Sequence, residues 1–175
     1  MHFFLGIKGS GMAALACMMK EMGETVEGSD LEKHFFTEEQ LHELHIPIHP
    51  FGTLPPDGST VVIGNAFKED FDDVKKIRSN STYTVYRYHE FLGKLTKQYV
   101  TVALSGSHGK TTTTTMMASI LRQAKPTAYL IGDGHGHLAK DSYYLALEAD
   151  EYRRFFHAYF PKYAVITNVD LDHVD

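Results

Sequence analysis

The spacing of hydrophobic positions in the first 30 residues changes once, from a continuous run to a helical period. His2 to Ile7 is a short apolar run, Gly6, Gly9 and Gly11 interrupt it, and Met12, Leu15, Ala16 and Met19 then recur at i, i+3, i+4 and i+7. This predicts a buried strand feeding an amphipathic helix. A second short strand over Thr25 to Gly28, ending at Ser29 and Asp30, closes one βαβ unit of about 30 residues. Leu41 and Leu44 fall on a helix begun near Thr37, and Val61 to Ile63 is another buried strand. Phe67, Phe71, Val74 and Ile77 mark a further helix. Its acids (Glu69, Asp70, Asp72, Asp73) precede its bases (Lys75, Lys76, Arg78), the order that suits a helix dipole, and the charge run reads as a solvated face.

The same design restarts near residue 98. Tyr99 to Leu104 is a new strand, Gly106 and Gly109 punctuate the turn, and Met116, Met117, Ile120 and Leu121 describe the buried face of the next helix. Thr127 to Ile131, Tyr143 to Leu147 and Tyr163 to Thr167 supply further strands, with Gly132, Gly134 and Gly136 in a loop. Alternating strands and helices predict an α/β protein with parallel sheets covered on both faces. Two units are expected, residues 1–97 and 98–175, joined around His89 to Gln98, the first with its own core.

Composition narrows the function classes. Hydrophobic residues make up 43% and charged residues 22%, a globular balance; the net charge of -5 disfavours a nucleic-acid binder, which needs a basic surface. No apolar run approaches the roughly 20 residues that cross a bilayer, and the start lacks a signal-peptide pattern, so a cytoplasmic protein without membrane insertion is expected. The lone cysteine, Cys17, agrees with a reducing compartment and most simply packs in the first helix.

Three constellations carry chemistry. Gly9-Ser10-Gly11-Met12-Ala13-Ala14 fits the G-x-G-x-x-G/A dinucleotide pattern, with Asp30 about 20 residues on, where a ribose-binding acid would sit. Such glycines let backbone N–H groups approach a diphosphate at a helix N-terminus, although a tight βα turn alone, or an NAD-dependent dehydrogenase, has the same pattern. The second is Gly106-Ser107-His108-Gly109-Lys110-Thr111-Thr112, a shortened phosphate loop with Leu104 where the strict spacing wants glycine. There Lys110 and backbone donors can neutralise the β and γ phosphates, and the Thr111 hydroxyl can ligate Mg²⁺. A lysine at a helix start opposes the dipole unless an anion is bound. The third is a set of acids with one histidine at strand ends: Glu148, Asp150 and Glu151, then Asp170, Asp172, His173 and Asp175, either cluster of which would by itself read as a solvated turn. In open parallel sheets such ends gather round the ligand, and hard oxygens suit Mg²⁺.

Taken with Gly6-Ile7-Lys8-Gly9-Ser10-Gly11-Met12, the segments GSHGKTTTT at 106–114, EADEY at 148–152 and TNVDLDH at 167–173 resemble the Mur ligases, in order and across essentially the whole chain. The resemblance implies a Rossmann-like N-terminal domain for a UDP-sugar, followed by part of a P-loop-type central domain for ATP. It also implies amide bond formation between UDP-N-acetylmuramate and L-alanine through an acyl phosphate. By motif match, Gly106, Ser107, His108, Gly109, Lys110, Thr111 and Thr112 bind ATP, Thr111 and Glu148 hold one Mg²⁺, and His173 belongs to a second metal position. Lys110, Glu148 and His173 are then the catalytic set. Gly6, Lys8, Gly9, Ser10 and Gly11 face the UDP diphosphate, with Asp30 as the nearby acid. The family's longer central domain and third domain are not among these 175 residues, so a fragment is expected.

Lys8 stands where many relatives have glycine, and Ser107 where threonine is commoner; Lys8 could add a charge near a phosphate. Other features take plainer readings. His34, His42, His45 and His49 lie on a solvated face, the pair His135 and His137 lacks further ligands, and Arg153 and Arg154 read as exposed. Two alternatives stay open: a noncatalytic UDP-sugar-binding module, and the Mur ligase that attaches a recycled tripeptide. The latter's glycine loop as a rule carries an aromatic residue where this chain has Gly11.

Overall fold

The computed structural model describes residues 1–149 and 152–170. Two five-stranded sheets follow one another along the chain. The first contains β1 (His2–Leu5), β2 (Val26–Asp30), β3 (Ile48–Pro50), β4 (Thr60–Ile63) and β5 (Thr84–Arg87), all parallel, in the order β3-β2-β1-β4-β5. Central strand β1 shows why these residues form a doubly covered sheet. Phe4 and Val62 point to a cluster with α1 (Ser10–Glu21) and Leu92, whereas Phe3, Leu5, Val61 and Ile63 point to Val74 and Ile77 of α3 (Asp72–Ser79). An alternating strand with both faces apolar must be buried on both.

The second sheet holds β6 (Val100–Ser105), β7 (Thr127–Leu130), β8 (Gly136–His137), β9 (Tyr144–Glu148) and β10 (Tyr163–Ile166), in the order β10-β6-β9-β7-β8. It is mixed: β8 returns antiparallel to β7, and the other pairs are parallel. Helix α5 (Lys110–Arg122) follows β6, and a 3-10 turn spans Tyr152–Ala158. Among the described residues no helix is long and apolar enough to cross a membrane.

Helix α1 joins the two sheets. Every residue from Met12 to Met19 is buried, because the first sheet covers one side while Ala128, Leu130, Leu138, Leu145 and Leu147 of the second unit cover the other. Small side chains at Ala13, Ala14, Ala16 and Cys17 permit the approach, and a Cβ on Gly136 would overlap the Ala14 carbonyl. Burial pushes the Cys17 thiol up to about 12, with Glu21 and Glu43 adding to the shift, so it packs as an unreactive group. The first unit therefore has one cluster of its own, on the α3 side of its sheet, and shares the other, around α1, with the second unit.

Local differences have physical reasons. The segment expected as a joint around His89 to Gln98 contains most of helix α4 (Tyr88–Thr96), which follows β5 directly. Edge strand β3 ends at Pro50, which an edge position tolerates. Helix α3 starts at Asp72; Phe67 and Phe71 precede it and pack edge-on with Phe51. Asp73 does not share the solvated face: it is buried and accepts the Gly52 N–H at 2.7 Å. On α5 the buried residues are Thr114 and Ala118, and the expected Met116 and Ile120 are 59% and 65% exposed. The expected Met117 and Leu121 are half-buried beside Thr114 and Ala118, so the inward stripe keeps two of the four expected residues.

A buried ion pair locks the crossover after β2. The Lys8 ammonium donates to Leu31 O (2.7 Å) and Lys33 O (2.9 Å) and meets Glu38 Oε1 at 2.9 Å. Glu38, at the start of α2 (Glu38–Glu43), also accepts the Phe35 N–H. The Thr37 hydroxyl donates to Lys8 O at 2.5 Å. Burial alone would raise the Glu38 carboxyl, but the hydrogen bonds from Lys8 and Phe35 and the Lys8 charge outweigh it and hold the carboxyl at about 2.

Two outcomes are expected. Leu138→Ala, which touches only the shared core, should lower unfolding free energy by about 2 to 4 kcal/mol in one urea transition reported by both units. Two separated transitions would show independent cores. Because the folded Glu38 carboxyl ionises below its ordinary 4.5, its contribution is complete above that pH and is lost as pH falls toward about 2. Urea midpoints should drop across this window. Glu38→Gln should cost about 3 kcal/mol at neutral pH and flatten the drop, since it leaves a buried ammonium without its counter-ion.

Candidate functional site

The two units each carry a concavity at the carboxyl ends of their strands. The first, about 490 Å³, is lined by Gly6, Gly9, Ser10, Gly11 and Met12 together with Gly64, Asn65, Ala66, Lys68, Tyr88, Phe155 and Tyr159. It lies between the ends of β1 and β4, where the strand order reverses and open α/β sheets place their ligands. Gly9 caps α1, whose first-turn N–H groups face this cleft, the arrangement that receives a phosphate.

Four of the six residues expected here meet, and two do not. Lys8 and Asp30 are absent from the lining. The Asp30 oxygens accept the backbone N–H groups of Lys8 (2.8 Å) and Leu31 (2.7 Å), and the Lys8 ammonium is held at Glu38. Both Asp30 oxygens thus hold backbone beside the Lys8 turn, outside the cleft lining. The cleft instead extends toward β5, where Lys68 supplies the cation. There His89 Nδ1 meets Asn65 Oδ1 at 2.8 Å and stacks on Phe155, with ring centres 4.5 Å apart. Burial lowers the His89 pKa, which favours a neutral ring.

Sequence reasoning missed Asn65, Lys68, Tyr88, Phe155 and Tyr159. The Gly64-Asn65 turn immediately after a buried strand was a usable signal for the first two. Nothing local marks the others, since Phe155 and Tyr159 arrive from the second unit. Tyr88 explains the bare loop at Gly11: a Cβ there would lie 2.5 Å from the Tyr88 hydroxyl oxygen.

The second concavity, about 320 Å³, is lined by Ser107, His108, Gly109, Lys110, Thr111, Thr112 and Glu148. Gly109 caps α5 in the left-handed region at φ 80, a conformation that favours glycine. The segment just after strand β10 braces the loop. The Thr167 hydroxyl donates to His108 O at 2.7 Å, Asn168 Oδ1 accepts the His108 N–H at 2.9 Å, and Ser107 Oγ accepts the Asp170 N–H at 3.0 Å. Thr167 and Asn168 are therefore loop-positioning residues, a role the sequence pattern did not assign. Lys110 folds back to donate to Gly106 O at 2.7 Å, its ammonium beside the first turn of α5.

Glu148, at the end of β9, completes this site. Its Oε1 accepts the Thr111 hydroxyl at 3.3 Å and its Oε2 accepts the Gly132 N–H at 2.9 Å. Two hard oxygens beside a phosphate-type loop fit Mg²⁺, which takes a few protein oxygens and completes its shell with water and phosphate. Among the described residues no group of three or more His, Cys, Asp or Glu could hold a metal ion. His135 pairs with Asp133 and His137 with Glu21, so that histidine pair has other partners. His173, Asp150, Glu151, Asp172 and Asp175 lie outside the described residues.

Comparison with known proteins gives this arrangement its family. The model for the Mur ligase family, catalytic domain, matches residues 2–100, and that for the Mur ligase middle domain matches residues 104–175. The UDP-N-acetylmuramate--L-alanine ligase of Lactiplantibacillus plantarum is 47% identical over 99% of this chain and 40% of its own length. The chain spans about 40% of the curated relatives it matches. Among solved structures, the UDP-N-acetylmuramate:L-alanyl-gamma-D-glutamyl-meso-diaminopimelate ligase from Neisseria meningitides aligns with a TM-score of 0.83 at 28% identity, covering 99% of this chain and 62% of that one. The UDP-N-acetylmuramate-alanine ligase MurC from Thermotoga maritima aligns with a TM-score of 0.81 at 27% identity, covering 98% and 42%. With both units matched in order and each concavity in place, the chain belongs to the Mur ligase family.

Proposed function

We propose that the protein carrying these two units is a cytoplasmic enzyme that joins L-alanine to UDP-N-acetylmuramate at the expense of ATP, a step in making peptidoglycan precursors. The observation that carries the reading is the convergence of Lys110, Thr111 and Glu148 on one cavity at the N-terminus of α5. The first cleft is the place for the UDP-sugar, its diphosphate against the Gly9–Gly11 turn and near Lys68.

The chemistry asks for charge control more than for a nucleophile from the protein. A substrate carboxylate oxygen attacks the γ-phosphorus of ATP, the bond to ADP breaks, and an acyl phosphate forms. The amine of L-alanine then attacks the acyl carbon and phosphate leaves, with the amine proton lost. Lys110, the loop N–H groups and the α5 dipole stabilise the charge that builds on the transferred phosphoryl group. Mg²⁺, when bound, neutralises the β and γ phosphates; Thr111 and Glu148 would hold it, and by family resemblance His173 would serve a second metal position.

The tripeptide-recycling ligase remains the comparison to beat, since its fold aligns as well as that of the L-alanine enzyme. Two observations favour L-alanine. Identity to an L-alanine ligase reaches 47%, and Tyr88 occupies the space that an aromatic side chain at position 11 would need.

Lys110→Ala in the full-length protein should lower ATP-dependent formation of the alanyl product, followed by mass spectrometry, by about two orders of magnitude, roughly 3 kcal/mol, with UDP-sugar binding retained. Near-normal turnover would remove the loop from the mechanism. The two lysines of the first unit should separate cleanly. Lys68→Ala is expected to weaken UDP-sugar binding about tenfold in calorimetry, an effect that shrinks with added salt. Lys8→Ala should act on stability, because its ammonium serves the Glu38 lock.

A further inference from the structure

The loop after β7 reaches the second concavity although sequence motifs place nothing catalytic there. In register, Leu130 of β7 pairs with Leu147 of β9, so the residues just beyond each strand lie side by side. Gly132 donates its N–H to Glu148 Oε2 at 2.9 Å, which leaves Oε1 as the oxygen beside Thr111. A Cβ on Gly132 would lie 2.5 Å from Oε1 and 2.9 Å from Oε2. Gly132 is outside the left-handed region, so its backbone would accept any residue. What glycine provides here is room for the carboxylate.

The other end of the loop is anchored on the first unit. Gln40 of α2 donates to Gly136 O at 3.1 Å, Gly134 lies against the Thr37 methyl group, and Glu21 of α1 accepts the Leu138 N–H at 2.8 Å. Within the loop, the Ile131 N–H bonds to His135 O at 2.9 Å and closes a tight turn. The Gly132 N–H is thus held by contacts to both units.

We propose that Gly132 is a positioning residue for the metal-nucleotide site: its N–H occupies one Glu148 oxygen and turns the other toward Thr111, and its missing side chain is what permits this. The inference rests on reading the Lys110, Thr111 and Glu148 cavity as the ATP and Mg²⁺ site. A carboxylate held this way offers one oxygen to a cation, and loss of such a supporting bond typically costs 10- to 100-fold in metal affinity.

The test uses Mn²⁺ as the probe. Electron paramagnetic resonance measures Mn²⁺ uptake by the protein with ATP, and equilibrium dialysis in EDTA measures ATP binding without metal. Gly132→Ala should weaken Mn²⁺ uptake about tenfold, with metal-free ATP binding within twofold of the parent and the thermal midpoint nearly unchanged. Unchanged Mn²⁺ uptake, or equal weakening of both measurements, overturns the proposal. If the parent itself takes up no Mn²⁺ with ATP, the reading of the cavity falls and this inference falls with it. Should Gly132→Ala fail to fold, the Gly132 amide signal decides. Glu148→Gln should move that proton upfield in the nuclear magnetic resonance spectrum as a charge-assisted bond becomes a neutral one, and an unmoved signal overturns the proposal.

Discussion

Burial of α1 on all sides is the constraint on which the rest of the molecule depends. A helix that exposes apolar residues around its whole circumference cannot be covered by one sheet. The second sheet supplies the other cover, and Gly136 and the alanines of α1 set how closely it approaches. Each fully buried Leu or Met adds about 2 kcal/mol relative to exposure, so this contact resists separation of the two units. The two concavities are consequently held by one shared core. The first cleft opens at the N-terminus of α1 and draws Phe155 and Tyr159 from the second unit.

The concavities use one local device with different support. Each is a strand, a glycine turn and a helix N-terminus, which presents backbone donors and a favourable dipole to an anion. In the first, the turn is secured by the buried Lys8 and Glu38 pair, which also closes the side near β2 and leaves the cleft running toward β5. In the second, the segment just after strand β10 places Thr167 and Asn168 against the His108 backbone. The first turn thus leaves its cation to Lys68 at the rim, and the second carries its own in Lys110.

Gly132 links these levels. A carboxylate at a strand end has several rotamers, and only a neighbouring donor selects one. The donor belongs to a loop whose far contacts are on α1 and α2, so the orientation of Glu148 is tied to the packing that buries α1.

Contiguous patterns carried the parallel α/β plan, both glycine turns and the cluster from Ser107 to Thr112, because strand period, helix period and turn chemistry are set by neighbours in the chain. Eight consecutive apolar residues from Met12 to Met19 also held the signal for full burial, which a four-residue stripe understated. The fates of Lys8 and Asp30 were not legible in this way. Their spacing suits a ligand, but Glu38 and two backbone N–H groups claim them, and those contacts form only when the crossover packs down. Asp73 was drawn out of a charge run by the Gly52 N–H, and α5 turned Met116 and Ile120 away from the sheet. Tyr88 and Phe155 reached the first cleft from distant elements. In each case a group with adequate local chemistry was assigned by a partner far along the chain, since hydrogen bonding and burial act through space and local pattern records only the sequence around a residue.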